Sequence, residues 1–461
     1  MNGKSGNLTE GTVWKKLLLF FLPIAAGTCI QQLYNAVDGM VVGKYVGTQA
    51  LAAVGGSSAQ IINLLIGFFT ALTSGAAVVI AQIYGAGKTE DLQRASGNAI
   101  AVCTVMGIVL AVFGIVASPW MLRILKTPED TVEGAVLYLR IYFTGVPFIL
   151  VLNMESNLLR SVGDSFSPFI YMVAGCVSNI VLDLALVIWF GLGIAGVAIA
   201  TVIAQLVNMG LLTWKLTTTK EPYRLVLKTL SLNGRYLKNM MRLGIPAGLQ
   251  SSMYAVSNMV IQIGVNTLGT VVVASWAMAS KVDGFYWAVS SALGTALTTF
   301  TGQNFGAGRI DRVRSGMRQG TAVSMAITVV LSSLIMLAGR PLLRILTDDA
   351  AVIDTTYQIM KCFVPYYFTW TLVEVVSAIL RGVGDAVRPV VIIGLGICGF
   401  RIVWIVTVFA YFGTLLSLAL CYVISWAITG TALLIYYKRG KWLPSASLDS
   451  VKAQKSPERS R

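Results

Sequence analysis

Residues 160–168 read RSVGDSFSP and residues 381–389 read RGVGDAVRP, five identities in nine positions at an offset of 221 residues. The same offset sets Gln82 against Gln303 (QIYGAGK and QNFGAGR), LRIL at 122 against LRIL at 343, and Arg140 against Lys361. Chance does not align separate patches on one offset, so the chain is a duplication. Each copy also carries several apolar runs of membrane-spanning length, so the duplicated object is a membrane bundle.

Composition agrees. Of 461 residues, 56% are hydrophobic and 12% charged, and the mean hydropathy is +0.74. Soluble domains carry about 25% charged residues. A span needs roughly 20 apolar residues to cross a hydrocarbon core of about 30 Å. Barrel strands would show short alternating segments. The runs here are continuous, so helices satisfy the backbone in lipid. Twelve spans are expected, near 15–40, 50–84, 95–118, 136–159, 167–190, 193–216, 240–266, 271–303, 317–339, 355–380, 389–411 and 414–437. The fold class is an all-α membrane protein of twelve transmembrane helices.

The net charge of +15 reports topology rather than nucleic acid. With the N-terminus in the cytoplasm, 26 of the 35 Lys and Arg fall inside and 5 outside; Arg140, Lys281, Lys361 and Arg401 lie in or near spans. That is a strong positive-inside asymmetry. It predicts a multi-pass protein of the bacterial inner membrane with both termini cytoplasmic. Basic residues after Tyr437 would meet anionic headgroups. The first apolar run, with Lys15 and Lys16 on its flank, is expected to stay as a span rather than be cleaved.

Several function classes drop out. The chain has no histidine, hence no Ser-His-Asp triad, His-ligated zinc or imidazole relay. It has no GxxxxGK[ST] motif for ATP. Its six cysteines (29, 103, 176, 362, 398 and 421) all lie in apolar spans without a CxxC and read as packing residues. No cofactor and no enzyme activity are expected.

The domain plan follows from the breakers. Residues 1–14 form a cytoplasmic N-terminus and 15–216 a first lobe of helices 1–6. The polar stretch 217–238 is a cytoplasmic linker, 239–438 a second lobe of helices 7–12, and 439–461 a disordered tail. Six spans per lobe make the repeats parallel, related by a pseudo-two-fold axis along the membrane normal. Such repeats are the sequence form of a secondary transporter that rocks about a site near the midplane. The glycines of YGAGK (84–88) and FGAGR (305–309) are expected to end helices in left-handed turns. The RSVGD and RGVGD loops should fix cytoplasmic helix ends.

Ionisable residues inside spans mark function by default. In the first lobe, Gln31, Tyr34 and Asp38 share one helical stripe. Asn179 and Asp183 are one turn apart in span five, and Thr201, Gln205 and Asn208 form a stripe in span six. Span four adds Asn153 and Asn157. Two carboxylates without a deep cation need protons or a bound cation to be tolerable. This is the behaviour of a coupling-ion site, taking H+ or Na+. Glu155, near the cytoplasmic end, reads equally as a rim salt bridge to Arg160 or as part of transport.

The second lobe differs. Lys281, Asp283, Glu374 and Arg401 sum to zero, and pairing of Asp283 or Glu374 with Arg401 is the bland reading. The competing reading is a substrate cavity from Gln31, Asn157, Gln205, Tyr254, Asp283, Trp287 and Glu374, with aromatic faces for planar cations. Pro23 and Pro246 occupy corresponding places in spans one and seven, and Pro147 and Pro365 correspond less closely; each permits a bend.

The pattern P-x10-Y-x3-D (Pro23, Tyr34, Asp38), the loops ALAAVG, QIYGAG and RSVGDS, and N-x3-D in span five before GLGIAGVAIAT resemble the multidrug and toxic compound extrusion (MATE) transporters. The resemblance covers roughly residues 12–438. It implies cation-coupled antiport: a proton or sodium ion enters while an organic cation leaves. The family's first-lobe cation site maps onto Tyr34, Asp38, Asn179, Asp183 and Thr201, with Asn153 beside them, and its span-one kink onto Pro23. A sodium ion would sit at Asp38, Asn179 and Asp183. The chain has no acid in residues 244–269, where the NorM-like branch carries one, so it is closer to the DinF-like branch. The expected protein is a monomeric antiporter in the lipid bilayer that exports cationic amphipathic compounds and binds no nucleic acid. A flippase for lipid-linked precursors is the alternative within transport, and a membrane-embedded enzyme the remote one.

Overall fold

The computed structural model describes residues 7–440 and 442. Of the tail expected to be disordered, 439–461, residues 441 and 443–461 lie outside the described residues, as do residues 1–6. All regular structure among the described residues is helical, in twelve rods.

The rods follow the repeats. The first copy holds α1 (Val13–Val41), α2 (Thr48–Gly55) joined to α3 (Ser57–Gly85), α4 (Thr89–Ile124), α5 (Glu129–Thr144) joined to α6 (Val146–Ser161), α7 (Phe166–Leu184) and α8 (Gly193–Thr218). The second holds α9 (Gly234–Asn266), α10 (Thr270–Gly306), α11 (Ile310–Leu346) and α12 (Ala350–Phe363) joined to α13 (Tyr367–Gly382). It closes with the broken rod α14 (Val387–Ile393), α15 (Phe400–Trp404) and α16 (Ala410–Phe412), then α17 (Leu415–Lys438). Among the described residues, nine helices, or ten rods counting the bent α5–α6 pair, are long and apolar enough to cross a membrane. The long rods α9 and α10 fail that test of composition. Gln250, Ser251, Ser252, Asn258 and Gln262 dilute the first, and Lys281 and Asp283 the second.

The prolines fall into two groups. α1 runs unbroken through Pro23, and α9 through Pro246. The breaks fall at the other pair. α5 and α6 meet at 48° beside Pro147, and Pro365 sits in a 3-10 turn between α12 and α13. Proline near a helix start lacks only an N–H that has no partner there anyway, so a break at this point is cheap.

The glycine turns are as expected. Gly87 and Gly308 adopt φ +70° and +72°, and Gly163 and Gly384 adopt +89° and +93°. After each of the last two, an aspartate ties a later helix, α7 in the first copy and α17 in the second. Asp164 accepts from the Ser167 N–H (2.9 Å) and hydroxyl (2.6 Å), while Asp385 accepts from the Tyr436 hydroxyl (2.5 Å).

The chain forms two compact units. One runs to Ala255 and takes back Asp283–Gly316; the other holds Val256–Val282 and the chain from Met317. Their boundaries fall inside α9, α10 and α11 rather than in the polar linker. The first unit has a core of Ile80, Leu92, Leu139, Phe143, Met154 and Leu212. Within it the two QxxGAG stretches meet. A Cβ on Gly85 would strike the Gln303 carbonyl, and one on Gly306 would strike the Gln82 carbonyl. Small residues let helix backbones approach this closely in membranes. Gln303 also donates to the Ser161 carbonyl (2.8 Å) and accepts from the Leu8 N–H (3.1 Å). Arg309 and Arg312 bind the carbonyls of Thr9 (2.7 Å) and Gly11 (2.9 Å), which pins the segment before α1 across this end.

The second unit is centred on aromatic side chains. Tyr367 and Trp426 are fully buried with rings 6.1 Å apart, and Tyr422 lies 5.7 Å from Trp426.

Candidate functional site

The polar stripes of the first copy converge. α1 supplies Tyr34 and Asp38, α7 supplies Asn179 and Asp183, and α8 supplies Thr201. Asn179 and Asp183 are each 1% exposed. In the amide orientation that satisfies both ends, Asn179 donates to the Tyr34 hydroxyl (2.9 Å) and to Asp183 Oδ2 (2.8 Å) and accepts from the Thr201 N–H (3.1 Å). The Asp38 and Asp183 carboxyls lie within hydrogen-bonding reach of one another. Each keeps a buried Oδ1 without a partner among the described residues. None of the four ion pairs among the described residues includes either acid.

The backbone changes form just after each acid. A π-helical segment, Val42–Val46, follows Asp38, and another, Ala185–Trp189, follows Asp183. Single π turns inside membrane helices recur at functional sites because the wider turn redirects side chains.

Two residues escaped the sequence reading. Tyr138 and Tyr142 on α5 pack with ring centroids 5.8 Å apart, and both lie within electrostatic reach of Asp38. Tyr138 is 6% exposed. Their i, i+4 spacing was a visible signal, yet aromatic pairs at that spacing are common packing. Nothing in the sequence tied α5 to α1.

Other expected members stay apart. Asn153 turns back to its own helix, donating to the Ile149 carbonyl (2.8 Å). Gln31 is exposed and Gln205 half-buried. Asn157 donates to the Thr73 hydroxyl (2.9 Å), a tie between α6 and α3. Glu155 is 1% exposed and accepts from Thr213 (2.5 Å); no ion pair joins it to Arg160 among the described residues. The rim salt bridge is therefore corrected to a buried hydroxyl–carboxyl contact.

The second copy's charges are handled separately. Glu374 pairs with Arg381 at 3.0 Å, two turns along α13, and not with Arg401. Arg401 is 3% exposed; its guanidinium stacks 4.0 Å from the Tyr422 ring centroid, and its Nε donates to Ser425 (3.4 Å). The pairing of Glu374 with Arg401 is thus overturned, since each has a nearer partner on its own or the adjacent helix. Arg401 lies on the short α15, between the π-helical segments Gly394–Gly399 and Ile405–Phe409. Of the remaining cavity candidates, Tyr254 accepts from Gln250 (3.3 Å), Trp287 packs edge-on to Tyr286 (5.6 Å) and Asp283 is half-buried.

Known proteins are similar to this chain. The family model MatE matches residues 23–185 and again 246–407, once in each repeat. Among curated proteins, the Bacillus subtilis protein named "Probable multidrug resistance protein YoeA" is 29% identical over 86% of this chain and 86% of its own length. Another from the same organism, "Probable multidrug resistance protein YpnP", is 27% identical over 95% of this chain and 98% of its own. A solved structure described as the outward-facing conformation of a multidrug resistance MATE family transporter of the MOP superfamily superposes with a TM-score of 0.87. It is 21% identical and covers 95% of this chain and 98% of its own, so it bears on the fold.

Proposed function

The chain belongs to the MatE family of multidrug transporters, and on that premise we propose that it exports cationic amphipathic organic compounds in exchange for protons. Membership sets aside the membrane-embedded enzyme. The observation that carries the proposal is the acid pair itself: Asp38 and Asp183 face each other in an apolar bundle, and among the described residues no ion pair joins either to a lysine or arginine. Two such carboxyls are tolerable when they share a proton or hold a cation. Asn179 favours the proton. Its carbonyl is engaged by Thr201, so its NH2 is the group turned toward the acids. A hard cation needs oxygen lone pairs, and an amide NH2 offers none.

The proposed cycle uses the chain's own residues. Proton loading between Asp38 and Asp183 removes charge and rearranges the Tyr34–Asn179–Asp183 hydrogen bonds. It thereby shifts α1 against α7 and weakens the hold on a cationic substrate. The two repeats then rock about this site. The basic-residue asymmetry supports insertion in the bacterial inner membrane with both termini cytoplasmic. The missing acid in α9 supports the DinF-like branch.

The deciding experiment is substrate efflux from proteoliposomes with pH and sodium gradients imposed separately. Efflux driven by the pH gradient alone is the expected result. Efflux driven by sodium alone would overturn proton coupling, and uptake of no organic cation under either gradient would overturn the antiporter.

A further inference from the structure

The ends of α4 and the start of α5 enclose a groove of about 700 Å³ within the first unit. It carries four ionisable side chains, Arg123, Glu129, Glu133 and Arg140, over an apolar floor that includes Val136 and Leu137. All four are exposed, and among the described residues none makes an ion pair, a side-chain hydrogen bond or a cation–π contact. The surroundings are membrane-facing: Val116, Trp120, Ile124 and Leu137 are 73%, 62%, 57% and 47% exposed. Arg140 lies eleven residues after Glu129 on α5, about 16 Å along the helix. An arginine at that depth on a lipid-facing surface needs an anion, or must snorkel toward one.

The duplication supplies an internal control. At the offset of 221, Arg123, Glu133 and Arg140 become Arg344, Asp354 and Lys361. In that second copy Asp354 and Lys361 have protein partners. Arg340 bridges Asp354 at 2.9 Å, and Tyr357 takes Arg340 and Lys361 against its ring at 5.2 and 4.8 Å. The first copy has lost both closing residues: Pro119 stands in place of Arg340, and Val136 in place of Tyr357. The charges were kept while their protein partners were not.

We propose that this groove binds one phospholipid of the leaflet it opens to, of the aminophospholipid class. Arg123 and Arg140 take the phosphate, whose oxygens suit guanidinium geometry. Glu129 and Glu133 take the primary ammonium, and Val136 and Leu137 lie along the upper acyl chain. Two cations and two anions at one membrane-facing site complement a zwitterionic headgroup better than a purely anionic one. The site is separate from the acid pair, and its argument does not depend on which ion drives transport.

Native mass spectrometry of the purified full chain tests this, after equilibration in detergent with phosphatidylethanolamine, phosphatidylglycerol or phosphatidylcholine in turn. One tightly retained phosphatidylethanolamine is expected. Arg140→Gln should reduce its occupancy about tenfold, as loss of a charge-assisted contact does. Lys361→Gln, at the self-satisfied copy, should leave it unchanged. Glu133→Gln should remove the preference for phosphatidylethanolamine over phosphatidylcholine, whose trimethylated nitrogen donates no hydrogen bond. Unchanged retention in Arg140→Gln overturns the site, and equal retention of phosphatidylglycerol and phosphatidylethanolamine overturns the aminophospholipid class. All three substituted side chains are exposed, and an unshifted melting temperature verifies that each variant is folded.

Discussion

The two copies of the repeat treat buried charge in opposite ways. In the second, Glu374 is bridged to Arg381 at 3.0 Å and Arg401 is stacked on Tyr422, so each charge meets a fixed protein partner. In the first, Asp38 and Asp183 meet only each other and neutral donors, and each retains a buried oxygen without a partner. The position matching Glu374 is Asn153, and the arginine matching Arg381 is Arg160, whose buried Nε is unpartnered. A charge whose partner is fixed is a structural element. A charge whose partner must arrive from solution is a switch. The two solutions stand at different positions of the repeat: at the offset of 221, Asp38 and Asp183 match Met259 and Trp404.

The largest test of that contrast is charge removal. Asp38→Asn or Asp183→Asn should lower uphill export about 100-fold, a coupling at the upper end of the usual range. Glu374→Gln should leave coupling intact and act on stability. Its pair is partly exposed, so the loss should fall between the roughly 1 kcal/mol of a surface pair and the ~3–5 kcal/mol of a buried one. Transport assays beside thermal melts separate the two outcomes. Loss of coupling in Glu374→Gln with normal melting, together with normal transport in Asp38→Asn, would reverse the assignment.

The same contrast sets a pH dependence. If protons and a cationic substrate disfavour each other at the acid pair, linkage makes the effect reciprocal. Lowering the pH should load the pair and weaken substrate binding, by about tenfold for a coupling near 1.4 kcal/mol. Substrate should in turn release protons into weak buffer. Asp38→Asn should flatten the curve, and Glu374→Gln should not. Calorimetry across pH with a fluorescent organic cation reads this directly.

How much of this was legible in the sequence depends on the length of the interaction. The duplication, the helical rods and the left-handed glycines are local or periodic features, and each appeared at its expected residues. Tyr34, Asp38, Asn179, Asp183 and Thr201 were assembled from stripes and a family resemblance, because polar residues in apolar helices leave few alternatives. Tyr138 and Tyr142 were not, since their nearness to Asp38 depends on α5 packing against α2 and α8. Asn153 bonds its own helix and Gln31 is exposed, which their stripes alone do not foretell. A stripe fixes which residues share a face, while the neighbouring helices decide what that face meets. The partner of Glu374 was missed because a pair seven residues apart on one helix competes with many cross-helix choices. The span-one proline left α1 unbroken, because its missing hydrogen bond removes one contact without dictating a break.

The comparison also has a symmetric element, where the copies should behave alike. Gly85 and Gly306 each abut a carbonyl of the opposite QxxGAG stretch. Gly85→Val and Gly306→Val should therefore be similarly destabilising, at least about 1–3 kcal/mol for overpacking against backbone. Replacing Gly87 by Ala should act through its positive φ alone and do less. Thermal melts of the three variants check this, and a large difference between the first two would break the pseudo-symmetry inferred for this seam.

The smallest expected effect is the most discriminating, because it writes one copy's solution into the other. Asn153→Glu places a carboxylate seven residues before Arg160 on α6, as Glu374 stands before Arg381 on α13. Asn153 now satisfies itself on the Ile149 carbonyl, so little is lost when its amide is removed. The new acid gains a guanidinium whose Nε has no partner. The net gain should be on the order of 1 kcal/mol, since the pair is only partly shielded from water. A chain of this size would show that as a rise of about 1 °C in melting temperature. Export and its pH dependence should remain as in the unaltered protein, because the added charge is matched by Arg160 and does not reach the Asp38–Asp183 pair. If the variant instead melts normally and loses pH dependence, Asn153 belongs to the coupling site, as the sequence alone suggested. The contrast between a fixed pair in one copy and an open pair in the other would then need to be redrawn around α6.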